Sequence, residues 1–145
     1  MHSISLVEFP WLRDVDKRLF WGEFLKLFHH HLKARKKIDT FYFNLLLLSV
    51  QKWDKAKHKR IICEGYINIL KHEKRVKPLR LCDVCKEPFE EHISLIDRFV
   101  ATHPKCTNSH PISTKKVVNF FNTNNSIFLD DDEIERLLEV IMRGF

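Results

Sequence analysis

Glycine is almost absent from this chain: Gly22, Gly65 and Gly144 are the only three in 145 residues. Sheet-rich folds spend glycine or asparagine on most of their tight reversals, because those turns need positive φ. So few glycines, with only five prolines, point to a mainly α fold. Their wide separation also excludes a Gly-rich phosphate loop of the P-loop or dinucleotide type. Disorder is excluded from the other side, since 44% of the residues are hydrophobic and twelve are phenylalanine, far more apolar matter than a solvated chain carries. A chain of this length buries roughly two thirds of its unfolded surface and needs no disulfide to hold a core.

Apolar spacing places the helices. Val15, Leu19, Phe20, Phe24, Leu27, Phe28 and Leu32 recur at three- and four-residue steps, which predicts one amphipathic helix from about Asp14 to about Lys33. Asp39 or Thr40 can cap a second helix reaching about Trp53. That helix is so rich in Phe and Leu, including Phe41, Leu45 and Leu48, that it is expected at the centre of the bundle. A third, from about Lys57 to about Lys74, turns Ile61, Ile62, Tyr66, Ile69 and Leu70 inward before Pro78 breaks the pattern. Between Leu81 and Cys106 the texture changes to short apolar pairs, with Ile93–Leu95 and Phe99–Val100 reading as a hairpin-like insertion. Ser113 or Thr114 can cap a short helix over 115–121, which the asparagines at 122–125 end. A last helix starts at Asp130–Asp132, uses Ile134, Leu137, Leu138 and Ile141, and stops at Gly144. Ahead of all this, Ile4, Leu6 and Phe9 alternate with polar residues as in a half-buried strand.

The net charge of +6 conceals a division. Residues 1–81 hold 18 Lys and Arg against 8 Asp and Glu, a balance of +10, while residues 82–145 hold 7 against 11, a balance of −4. A basic half suits a polyanionic partner, nucleic acid or an acidic protein segment, and it equally suits a solvated lysine-rich surface. The cations gather at helix ends: Lys33, Arg35, Lys36 and Lys37, then Lys52, Lys55, Lys57, Lys59 and Arg60, then Lys71, Lys74, Arg75, Lys77 and Arg80. Such clusters suit phosphate contacts without base readout, and Lys33, Arg35, Lys36, Lys37, Lys57, Lys59 and Arg60 are the candidate DNA contacts. No basic leader precedes an apolar core, and the longest apolar stretch, 41–50, is too short to span a membrane. A cytoplasmic protein is expected.

The chemistry concentrates in Cys82-Asp-Val-Cys85 and His103-Pro-Lys-Cys106, a C-x2-C knuckle and an H-x2-C knuckle separated by seventeen residues. Two such knuckles can converge four soft or borderline ligands on one point, as tetrahedral zinc requires. The bland alternative is a pair of reduced, packed cysteines with His103 a surface turn residue. His92 and His110 compete for the fourth position, though only His103 reproduces the two-residue spacing. Four filled positions leave none open for a substrate, so the predicted Zn2+ is structural and the chain is not expected to be an enzyme. Cys63 reads as a packed thiol. His29, His30 and His31 point three ways from a helix and cannot share a metal. The acidic run at Asp130–Glu135 reads first as a helix start and second as a divalent-cation site.

The order of these features resembles the C-terminal region of the RecO family of bacterial recombination mediators. The likeness is carried by Arg18-Leu-Phe-Trp-Gly-Glu-Phe24, by Arg60-Ile-Ile-Cys-Glu-Gly-Tyr66 through Lys71, by Cys82-x2-Cys85, by Ala101-Thr-His-Pro-Lys-Cys106, and by Ser126-Ile-Phe-Leu129 through Arg143-Gly-Phe145. It implies a helical bundle over 13–145 with an inserted zinc-knuckle and β-hairpin module at about 81–107. It implies work with RecR on single-stranded DNA at the nucleoid, recombinase loading, strand annealing, and recognition of the acidic, Phe-ended C-terminal tail of SSB. Only Cys82, Cys85, His103 and Cys106 carry over by residue, with His103 standing where many relatives have cysteine. RecO proteins begin with an oligonucleotide-binding barrel, and residues 1–12 have room for one remnant strand of it. A non-catalytic repair module is therefore the leading expectation, with a metal-dependent nuclease or a protein-only adaptor for acidic peptides as alternatives.

Overall fold

A computed structural model describes residues 10–143; the strand expected at Ile4–Phe9 and the helix stop at Gly144 lie outside them. The described residues form a mainly α fold with six α-helices and one small antiparallel sheet. The chain divides into two compact units, Met1–Ile62 and Cys63–Phe145.

The first unit is built on an aromatic core. A 3₁₀ turn at Pro10–Arg13 leads into α1, Val15–Leu32, which starts where the Asp14 carboxylate accepts the Lys17 N–H at 3.1 Å. The next helix, α2, Thr40–Lys52, is capped in the same way by Asp39, which accepts the Phe41 N–H at 2.9 Å. Trp11, Phe24, Phe28, Tyr42 and Trp53 are buried. Two of them are tied at their polar ends. The Trp53 Nε1–H donates to the Lys17 carbonyl at 2.9 Å, and the Tyr42 hydroxyl accepts from Arg35 Nη1 at 3.1 Å. Large rings whose polar tips find partners fix orientation as well as bury area.

Those anchors overturn two expectations from apolar spacing. Only Tyr42 and Ser49 of α2 are buried, whereas Phe43, Leu47 and Leu48 face solvent and Phe41 and Leu45 are half-buried. The helix expected at the centre of the bundle lies on its outside, because Tyr42 and Trp53, eleven positions apart, choose the inward face. On α1 the stripe likewise ends early: Phe24, Phe28 and Leu32 are buried, but Val15 and Leu19 are exposed. The indoles of Trp11, Trp21 and Trp53 fill that end instead, with ring centroids 4.9 to 6.3 Å apart.

The third helix, α3, His58–His72, buries Ile61, Ile62, Tyr66, Ile69 and Leu70 as its spacing predicts. Within the second unit follow β1, His92–Ile96, β2, Val100–Thr102, and a one-turn helix α4, Pro104–Thr107. They are followed by β3, Ile112–Ser113, α5, Thr114–Thr123, and α6, Asp131–Met142. The strand order is β2-β1-β3, all antiparallel, with Leu95 opposite Ala101 and Ile93 opposite Ile112. The expected hairpin is thus present, with a third strand added on its far edge. Its turn places Arg98 and Phe99 at φ 61° and 54°, a conformation costly for bulky L-residues. Burial of the Phe99 ring beside Tyr66, Phe120 and Phe121 offsets that cost. Glu64 of α3 accepts the Ser126 N–H at 3.0 Å and its hydroxyl at 2.6 Å. The Asn124 side-chain amide donates to Asn68 Oδ1 at 2.7 Å. Together these contacts pin the loop between α5 and α6 to α3.

Candidate metal centre

The first knuckle is a tight reversal. Leu81 and Pro88 form a lone antiparallel bridge, Cys82 N–H donates to the Glu87 carbonyl at 2.9 Å, and Lys86 N–H donates back to the Cys82 carbonyl at 3.0 Å. Lys86 closes the turn at φ 64°. The knuckle hangs from the sheet because Asp83 N–H reaches the Ala101 carbonyl of β2 at 3.1 Å. The second pair of ligands sits where β2 runs into α4. His103 holds the N-cap position, Pro104 occupies the first turn where its missing N–H costs nothing, and Cys106 N–H bonds the His103 carbonyl at 3.0 Å. One helical turn therefore places His103 and Cys106 side by side. Thr102, Thr107 and Ser109 form a hydroxyl chain with links of 2.8 and 2.6 Å, and Ser94 Oγ donates to the His110 carbonyl at 2.7 Å. These contacts lash the ligand loop to the sheet.

The result is one cluster. The ligand atoms of Cys82, Cys85, His103 and Cys106 all lie within 4.8 Å of one another. His103 Nδ1 is 3.1 Å from Cys85 Sγ and 3.9 Å from Cys106 Sγ. Tetrahedral zinc with Zn–S of about 2.3 Å and Zn–N of about 2.0 Å sets ligand edges of roughly 3.5–3.8 Å; the four donors suit a metal ion in number and type, and their separations, 3.1 Å for Cys85–His103 and no more than 4.8 Å for any pair, bracket edges of that size. His92 and His110 are not among the four. His103 Nε2 lies 2.9 Å from the Pro88 carbonyl oxygen. The neutral ring places its proton there and turns the Nδ1 lone pair toward the thiols, the orienting contact metal-bound histidines use. Phe89 covers the ring at 5.1 Å.

Electrostatics favour a cation at this point. Burial alone pushes the Cys82 thiol up, but N–H groups of Cys85, His103 and Val84 aimed at its sulfur more than offset it and hold it at about 6. Two of those contacts measure 3.2 Å from His103 N and 3.4 Å from Val84 N. Cys106 moves the other way, to about 11, through burial and then through its hydrogen bonds to, and the negative charge of, Cys82 and Cys85. One thiolate resists the next until a cation joins them. His103 is raised by the Pro88 carbonyl first, against burial, with Cys82 adding to it. These four residues can hold a metal ion.

The Pro88 carbonyl and the backbone donors to Cys82 carry no signal in ligand spacing; only the folded knuckle reveals them. Cys63 is buried with Sγ 3.9 Å from the Ile134 carbonyl, packed between helices of its unit. Of the acidic run, Asp130 and Glu133 form a capping box at the start of α6.

The seven candidate DNA contacts all fall in the first unit, and they are not brought together. Lys33, Arg35, Lys36 and Lys37 follow α1, where Arg35 stacks over Tyr42 at 5.5 Å. Lys57, Lys59 and Arg60 lie at the start of α3, where Lys59 sits over Phe20 at 5.3 Å. Tyr42 packs against His31, so the two groups are separated by the path from Phe20 to His31, roughly 16 Å along α1. In the second unit, a shallow groove of about 430 Å³ is lined by Lys71, Val76, Lys77, Leu79, Val118 and Phe121 among others. Lys77 also reaches Asp83 at 3.3 Å. This groove had no sequence signature, because its two halves lie some forty residues apart.

No helix among the described residues is long and apolar enough to cross a membrane. Neither a scan against protein-family models nor a search of curated proteins finds a match to this chain.

Proposed function

We propose that this chain is a non-catalytic nucleic-acid-binding module of the RecO type, in which Cys82, Cys85, His103 and Cys106 hold a structural zinc ion. The carrying observation is the closed set of four donors with His103 turned toward the thiols by Pro88. Zinc bound by three thiolates and one neutral imidazole supplies cross-linking energy and offers no open position for a substrate. The chain's own residues do the rest: the knuckles fix the sheet edge, and the backbone N–H groups around Cys82 stabilise its thiolate.

The basic ends of the first unit suit the phosphates of single-stranded DNA, with Lys33, Lys36 and Lys37 at one end of α1 and Lys57, Lys59 and Arg60 at the other. Contacts of this kind are sequence-independent and salt-sensitive. The groove bearing Lys71 and Lys77 over Val76, Leu79, Val118 and Phe121 suits an acidic peptide ending in phenylalanine, the chemistry of the SSB tail. Work with RecR in recombinase loading and annealing, in the cytoplasm at the nucleoid, completes the reading.

The test is single-stranded DNA affinity measured against salt. A log–log slope of several units is expected, since each neutralised phosphate contributes about 0.7 for single strands. Replacing Lys36 and Lys37 with Gln should flatten it by one to two contacts' worth. An affinity indifferent to salt, or no binding at low salt, overturns the DNA role. A peptide that binds through Lys71 while DNA does not bind at all would make the chain a protein adaptor. Cutting of DNA with added magnesium or manganese would make it a nuclease.

A further inference from the structure

We infer that a cavity in the second unit reads the edge of one unpaired nucleobase through Arg136 and Glu139. The basic residues proposed above for DNA lie in the first unit and touch phosphates alone, so this site stands or falls without them.

The cavity exists because β3 is short. It pairs with β1 over two positions, His92 opposite Ser113 and Ile93 opposite Ile112. Beside Leu95 and Ile96 the chain instead loops out through residues 107–110, tied down where Ser94 Oγ donates to the His110 carbonyl at 2.7 Å. The packing of α6 on β1 closes the gap. The enclosed space is about 370 Å³, within the roughly 300–1,000 Å³ of small-molecule sites. Leu95, Ile112, Leu137 and Val140, all buried, give it an apolar lining.

Arg136, Glu139 and Arg143 line the same cavity from one face of α6 and its C-cap. Arg143 is held by Asp97, which accepts its Nε–H at 3.0 Å. Arg136 is half-buried. Neither its guanidinium nor the Glu139 carboxylate makes a hydrogen bond or ion pair with any described residue. Residues three apart on a helix are neighbours, so the cavity presents a two-pronged donor beside an acceptor, both open to a ligand.

This pairing selects the ligand. An aliphatic molecule would strand both charges. A bare phosphate or carboxylate would suit Arg136 but meet Glu139, and Glu139 with Asp97 balances Arg136 with Arg143, which leaves no net charge to hold an anion. A peptide group turns its N–H and C=O opposite ways and satisfies one neighbour at a time. A nucleobase carries donors and acceptors side by side on one edge and is apolar on both faces. Cytosine offers its N4 amino group to Glu139 and its N3 and O2 to the guanidinium fork; guanine offers O6 to Arg136 and its N1 and N2 hydrogens to the carboxylate. Uracil and thymine set one donor between two acceptors and match this pair less well.

The full chain with zinc present, titrated with cytidine, uridine or inorganic phosphate and followed by amide chemical shifts, tests the site. Cytidine is expected to move the amides of residues 107–110 and 136–143 with dissociation of about 0.1–1 mM, and uridine to bind about fivefold more weakly or worse. Glu139→Gln should weaken cytidine about tenfold, as should Arg136→Lys, which keeps the charge and loses the fork. Circular dichroism checks that both variants keep their helices. A short oligodeoxycytidine separates the sources of the base: shifts at the same amides place a DNA strand in the cavity, and shifts with cytidine alone assign it to free nucleosides and nucleotides. Three results overturn the inference: amides unmoved by cytidine up to about 10 mM, equal affinity for cytidine and uridine, or phosphate binding that Glu139→Gln strengthens, the mark of a plain anion site.

Discussion

Replacing Asp130 with alanine removes half of a reciprocal cap. The Asp130 carboxylate accepts the Glu133 N–H at 2.8 Å, and the Glu133 carboxylate accepts the Asp130 N–H, also at 2.8 Å. Glu133 further pairs with Lys116 at 3.1 Å, a contact the Asp130 variant leaves in place. Loss of a side-chain N-cap costs about 1 kcal/mol. Loss of a negative charge at the start of α6 adds about 0.5 kcal/mol. The alanine variant should therefore lose about 1–2 kcal/mol. Asp130→Asn keeps an acceptor in place and loses only the charge, a few tenths of a kcal/mol. In a unit of this size 1 kcal/mol moves the melting midpoint by about 4–8 °C. Far-UV circular dichroism during heating and in urea should rank the chains wild type, Asn, Ala, with the larger gap before Ala. The same samples separate a cap from a cation site, because magnesium or manganese should leave the wild-type midpoint where it is. Asn as damaging as Ala, an Ala cost below about 0.3 kcal/mol, or a midpoint that climbs with magnesium would each refute the capping argument.

Two further outcomes follow from the geometry. His103→Ala should abolish stoichiometric zinc binding while His92→Ala and His110→Ala leave it intact, as metal analysis after dialysis would show; chelation of wild-type chain should loosen residues 63–145 first, since the metal binding energy is folding energy there. His58, whose buried Nε2 has no hydrogen-bond partner among the described residues, is held below 6.5 by burial first and then by Lys59 and Lys17, against Asp14 and Asp16. The unfolded chain therefore binds this proton more readily than the folded one. The contribution is complete above about pH 6.5 and shrinks as the pH falls through that value toward the lower folded pKa. His58→Gln should flatten this part of the pH–stability curve, and an unchanged curve would count against the reasoning.

Most helices were legible because their ends are written in short-range chemistry. Asp14, Asp39 and Asp130 begin helices where their side chains accept the N–H two or three residues on, and Asn124 ends α5 at φ 57°. The four-ligand cluster was legible for the same reason, since each pair is fixed by one local turn. What spacing could not convey is which apolar face is covered. Phe43 and Leu48 look like core residues in the sequence, yet the hydrogen bonds of Tyr42 and Trp53 to Arg35 and Lys17 decide the orientation of α2. The third strand escaped for a similar reason: Ile112 pairs with Ile93 across nineteen positions, and two residues show no periodicity. The Pro88 contact to His103 is a meeting of two distant turns, so it exists only after both knuckles fold.

The placement of the indoles gives the molecule a built-in optical label. The chain has three tryptophans, and Trp11, Trp21 and Trp53 all belong to the unit that ends at Ile62. Their emission reads the environment of residues in that unit, while the four metal ligands all belong to the other. A metal titration followed by tryptophan fluorescence is therefore a test of communication along the chain. Silence means that zinc organises its own unit only, and a change in emission means that the ion's arrival is felt by residues that never touch it.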